Sequence, residues 1–123
     1  MQPMPTVTFL LLSVCFAAVH ILAVEASLYW YHWWFDIVMH LWGGFLIAYA
    51  TLLFLRCELW RRQPRVWYVL VALLLVTVSW EVFERLAGLY EPATYWRETS
   101  QDLVFGFLGG LIGYALLRDA TMG

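Results

Sequence analysis

Lysine is absent from this chain and charge of either sign is scarce, with seven arginines and nine acids making 13% of 123 residues. A soluble domain carries roughly one-quarter charged residues, so a solvated globular surface is excluded. Arginine clusters only between Arg56 and Arg65, too short a basic patch to support nucleic-acid binding. Of the two cysteines, Cys15 falls inside an apolar run and Cys57 beyond another, which excludes a disulfide framework or a thiolate metal motif. No His-Glu-x2-His occurs, and Ser79 and Ser100 stand near Glu81 and Asp102 without a Gly-x-Ser-x-Gly elbow. The familiar zinc-peptidase and serine-hydrolase signatures are therefore missing.

What is abundant is apolar surface: 63% of residues are hydrophobic and the mean hydropathy is +0.73. A helix crossing a hydrocarbon core of about 30 Å needs roughly 20 apolar residues. Four stretches approach that length, near residues 7–24, 35–55, 66–85 and 103–117. They predict an all-α, integral membrane four-helix bundle forming a single domain over residues 1–123, with no soluble module. Residues 24–26, Val-Glu-Ala, have the spacing of a signal-cleavage site, but no basic residue precedes the first apolar run, so it reads as a retained helix.

Arginine orients the bundle. Arg56, Arg61, Arg62, Arg65 and Arg118 fall on one side of the four spans, and Arg85 and Arg97 on the other. The positive-inside rule then predicts both termini and the 57–65 loop in the cytoplasm, with the connectors at 25–34 and 86–101 facing outwards. Those outward connectors carry Tyr29, Trp30, Tyr31, Trp33, Trp34, Tyr90, Tyr95 and Trp96, the amphipathic rings of an interfacial anchoring belt.

The ionisable residues inside the apolar runs converge on that outward side. His20 closes the first span, Asp36 and His40 open the second, Glu81 and Glu84 close the third, and Asp102 opens the fourth. Asp36 and His40 are four apart and share a helix face that continues through Gly44 and Ala48. Asp102 heads a similar stripe through Gly106, Gly110 and Gly113, beside Gly109. Small residues at this spacing let membrane helices approach backbone to backbone, so both acids are expected on packed faces. A carboxylate or imidazole there costs a few kcal/mol unless it is paired, protonated or metal-bound. Helix-end capping and dipole stabilisation offer a plainer account of Asp36, Glu84 and Asp102.

The order Asp36-x3-His40-x3-Gly44, then Glu81-x2-Glu84, then Arg97-x2-Ser100-x-Asp102 leading into Gly109-Gly110-x2-Gly113 resembles the VanZ-like family of small membrane proteins. It is also similar to the YjdF-like family of uncharacterised bacterial membrane proteins. The resemblance covers the second to fourth spans. It departs from the VanZ-like pattern at Gly106, where an Asn is common, and at Glu84, where a Gln is common. The resemblance implies a multi-pass protein of the bacterial inner (cytoplasmic) membrane with a role in the cell envelope.

The expected polar site thus comprises His20, Asp36, His40, Glu81, Glu84, Arg97 and Asp102, and the candidate metal ligands are Asp36, His40, Glu81 and Asp102. Mixed imidazole and carboxylate donors suit Zn, Mn or Fe, and a divalent metal there can hold a phosphate or activate water. The expected ligand is an envelope lipid or lipid-linked precursor. The alternative is a non-catalytic accessory subunit, or a homo-oligomer, whose buried polar network fixes the bundle against other membrane subunits. A haem held by His20 and His40 is the least economical reading, since a lone histidine pair ordinarily means a polar contact. The residues leave open whether the site is catalytic.

Overall fold

The computed structural model describes residues 6–56, 65–88, 92–93 and 95–118, apart from the side chains of Trp30 and Tyr95. Cys57, Arg61, Arg62 and Tyr90 lie outside the described residues. Four long helices, α1 (Thr6–Glu25), α3 (Trp33–Arg56), α4 (Val66–Leu86) and α5 (Tyr95–Leu117), are joined by a short α2 (Leu28–Tyr31) between the first two. All four are long and apolar enough to cross a membrane. No strand occurs among the described residues.

Three of the four helices begin and end within two residues of the expected spans. The fourth does not: α5 starts at Tyr95, eight residues ahead of Leu103. The polar run Tyr-Trp-Arg-Glu-Thr-Ser-Gln does not register as a membrane span, yet it contains no Gly or Pro and has nothing to stop a helix. Asp102 therefore lies two turns inside α5, and an N-terminal capping or dipole role is ruled out for it, because such effects fade within the first turn.

Two backbone reversals close the ends of the helices near that polar run. Ser27 adopts a left-handed conformation (φ 56°) between α1 and α2. Gly88 (φ 72°) follows α4, where a residue without Cβ takes the left-handed turn at no steric cost.

The tightest pair is α3 against α5. A Cβ built on Gly44 would strike the carbonyl oxygen of Gly106, and one on Gly109 would strike the carbonyl oxygen of Leu41. Glycine at these two positions lets the two backbones touch, which side chains of ordinary size would forbid. Gly110 faces the Leu73 side chain of α4 instead, and Gly113 faces Ala48 and Phe45.

The apolar core lies toward the end of the bundle remote from α2. Ala48, Tyr49, Leu52 and Leu55 of α3 meet Val69 and Leu73 of α4 there. The Tyr49 ring packs on Phe9 of α1 (centroids 5.3 Å) and edge-on against Phe45 (6.2 Å). Helix α1 is the most lightly packed, with Ala23 its sole buried residue and Phe16 set edge-on against Trp42 of α3. Leu10, Leu11, Val14, Leu74 and Leu75 are exposed, as the lipid-facing side of a membrane bundle requires. Cys15 is exposed on that same surface as a free thiol.

Candidate polar site between helices α3, α4 and α5

His40, Glu81 and Asp102 stand at matching depth, between five and seven residues inside the nearby ends of α3, α4 and α5. At 1.5 Å per residue this is about 8 to 10 Å. Each span supplies its polar residues to the same end of the bundle, the one that carries α2.

His40 is the best-defined member. Its Nδ1 is 2.8 Å from the backbone carbonyl oxygen of Asp36, one turn earlier, and 3.3 Å from Asp36 Oδ1. A carbonyl can only accept, so Nδ1 carries the proton and donates it there. That leaves Nε2 to face the neighbouring helix, 3.5 Å from Asp102 Oδ2. Carboxylate oxygens of Asp36 and Asp102 lie within 4.8 Å of each other. Two carboxylates so close repel as bare anions, and a shared proton, an imidazolium or a bound cation between them relieves that repulsion.

The two remaining acids form an adjoining group. Glu81 is buried, only 8% exposed, and its Oε2 accepts the Thr99 hydroxyl at 3.1 Å. Glu84 follows one turn on and is half-buried. Oxygens of Glu81, Glu84 and Asp102 lie within 4.8 Å of one another, as do the donor atoms of Asp36, His40 and Asp102. Asp102 is thus common to a His-containing triad and an all-carboxylate one.

Of the seven residues expected in the site, Asp36, His40, Glu81, Glu84 and Asp102 come together. Within the expected metal set, Glu81 groups with Glu84 and Asp102, while Asp36 and His40 meet Asp102 from its other side. His20 goes elsewhere: its Nδ1 is hydrogen-bonded to the Tyr29 hydroxyl at 2.8 Å. Burial, and then the negative charge of Asp36, push the Tyr29 phenol up to about 12, so it remains protonated through the physiological range. Arg97 is exposed on the first turns of α5.

Two contributors escaped the sequence reading, Tyr29 and Thr99. Thr99 precedes Asp102 by three residues, the spacing of one helix face, and becomes visible once α5 is known to start at Tyr95. Tyr29 carries no such signal, being one ring among many in an aromatic segment.

Glu81 and Thr99 also form the floor of a groove of about 240 Å³ between α4 and α5, lined in addition by Val78, Val82, Arg85, Leu86 and Leu103. Glu81, the buried acid, is in this way reached from between α4 and α5.

No curated protein and no solved structure matches the chain. A family model described as a predicted membrane protein, DUF2238, does match, over residues 3–121. It corresponds to the YjdF-like half of the resemblance; the VanZ-like half is not carried by it. Four membrane-length helices and a match running almost end to end place this chain in the DUF2238 family of predicted membrane proteins.

Proposed function

We propose that this end of the bundle is a cation-assisted binding site for envelope lipid headgroups, on the outer side of the bacterial cytoplasmic membrane. Asp36, His40 and Asp102 hold a divalent ion such as Zn, Mn or Fe. Glu81 and Glu84 on the other side of Asp102 meet the polar end of a lipid or lipid-linked precursor.

The observation that carries the reading is the geometry of His40. In metal sites a ligating histidine commonly donates its second N–H to a backbone carbonyl or carboxylate, which fixes the tautomer and turns the other nitrogen toward the ion. His40 meets both kinds of partner through Nδ1 and turns Nε2 toward Asp102. The orientation outwards rests on the arginine count, which places five basic residues at the opposite end.

Equilibrium titration of the purified chain with Zn²⁺ and Mn²⁺ tests this. One ion per chain, with affinity reduced at least about a hundredfold in His40→Ala and unchanged in Glu98→Gln, is the expected result. Equal binding by the parent chain and His40→Ala refutes the site.

The light packing of α1 favours a second reading, in which another membrane protein covers that helix and the polar cluster serves structure. A metal-free chain that leaves the membrane only within a larger complex would support it.

A further inference from the structure

A second groove, of about 640 Å³, runs between α3 and α4 toward the end of the bundle opposite α2. Its lining is ordered by depth. Trp67 and Tyr68, their rings stacked at 3.9 Å, stand near its mouth with Leu55, while Thr51, Val71 and Leu75 lie deeper. The Thr51 hydroxyl donates to the Ile47 carbonyl at 2.7 Å, so the groove meets no unpaired donor there. Val71 is 46% and Leu75 63% exposed, which leaves the groove open sideways, toward lipid. Arg65 is exposed, stands directly before α4 and precedes Tyr68 by three residues, the spacing of one helix face. From Arg65 to Leu75 the rise is about 15 Å, half of a hydrocarbon core of about 30 Å. The groove therefore spans one leaflet, with charge outermost, aromatic rings next and apolar side chains deepest.

We infer that this groove holds an acyl chain of an anionic glycerophospholipid from the leaflet on the arginine side of the membrane. Its phosphate meets Arg65, its glycerol and ester groups lie level with Trp67 and Tyr68, and the chain runs past Val71 to Leu75. The order of these residues is the order of the lipid's own parts. Arginine matches phosphate geometry, and the α4 N-terminus, which has no side-chain cap, adds the positive end of its dipole beside it. Charge selects the headgroup. Five arginines and two acids fall at or beyond this end of the spans, against two arginines and seven acids toward the other. A lipid with net negative charge is drawn to that excess, whereas a zwitterionic one brings a phosphate without net charge. A second copy in the same orientation would set one arginine-rich end beside another, and like charges oppose that contact. This lipid site is independent of the metal and of the polar cluster, which lie at the other end.

The test is native mass spectrometry of the purified chain titrated with phosphatidylglycerol, phosphatidylethanolamine and phosphatidylcholine of identical acyl chains. Phosphatidylglycerol should bind about tenfold more tightly than the other two, and about tenfold more tightly than glycerol 3-phosphate, which lacks tails. Arg65→Gln should narrow the preference for phosphatidylglycerol about fivefold. Val71→Trp and Leu75→Trp, which fill the groove from its exposed side, should each weaken phosphatidylglycerol binding about tenfold, whereas Val14→Trp on the lipid-facing side of α1 should leave it unchanged. Equal affinity for the three lipids, equal binding of the tail-less phosphate, or unchanged binding in both groove variants would overturn the proposal. So would a lipid-free dimer that Val71→Trp splits, since the groove would then belong to a second copy.

Discussion

His40 and Asp102 face each other across the α3–α5 contact at 3.5 Å, and one turn deeper on the same two helices Gly44 faces Gly106. Both steps are four residues, so the glycine contact and the polar pair lie on the same two faces. The absence of a side chain at Gly44 thus sets the distance at which imidazole and carboxylate meet.

Gly44→Ala should therefore damage the site without touching any of its polar groups. The new methyl would meet backbone rather than a movable side chain, so α3 and α5 must separate, at about 1–3 kcal/mol. Gly106→Ala, whose Cβ would meet only Thr77 Cγ2 at 3.6 Å, should be neutral or stabilising by up to about 1 kcal/mol. Thermal unfolding in detergent measures both, and a Gly44→Ala protein as stable as the parent would contradict the close-packing account.

Asp102→Asn should weaken the bundle by about 1–3 kcal/mol, the usual cost of removing one partner of a charge-assisted contact that is partly buried. A double-mutant cycle with His40→Ala should return a coupling of about 0.5–3 kcal/mol. Additive losses would mean that the two side chains are neighbours without an interaction.

Tyr29 gives the chain an alkaline limit. Its folded-state value is raised to about 12 from the ordinary 10, so the folded state holds this proton more tightly than the unfolded one. The resulting stabilisation is complete below pH 10 and is lost as pH rises through 12. Tyrosinate absorbance compared between the parent and Tyr29→Phe isolates this one ring among seven tyrosines. A difference spectrum titrating at the ordinary value would contradict its burial beside Asp36.

Leu73 and Leu74 are adjacent but unequal: Leu73 is fully buried, whereas Leu74 is 52% exposed. Leu73→Ala should cost about 2 kcal/mol or more through the cavity it leaves beside Gly110. Leu74→Ala should cost within about 0.5 kcal/mol. Guided unfolding of the two variants in the same detergent measures the difference, and equal losses would show that α4 is rotated from the position described.

The spans were legible because lipid demands a length of apolar helix, and three of them needed no other information. The start of α5 was not, because membrane hydropathy is blind to a helix that continues as Tyr95-to-Gln101 outside the apolar run. That extension moves Asp102 to the depth of His40 and brings Thr99 onto its face. That His40 and Asp102 face each other could be anticipated from the glycine stripes, and the common depth of His40 and Glu81 from their places in the second and third spans. The position of His20 could not: rotation of α1 is decided by Phe16 on Trp42 and Phe9 on Tyr49, contacts between residues remote in sequence. Likewise, spacing along one helix cannot say which carboxylates of two other helices share a ligand, and so Glu81 joins Glu84 rather than His40.

In the proposed function, His40 holds a divalent ion together with Asp36 and Asp102. The most direct measurement is elemental analysis of the chain purified gently from its native membrane, alongside His40→Ala prepared identically. About one divalent transition-metal ion per parent chain, absent from a His40→Ala chain that remains folded, is the predicted result. A parent chain free of metal, or a variant that retains it in full, would contradict the claim.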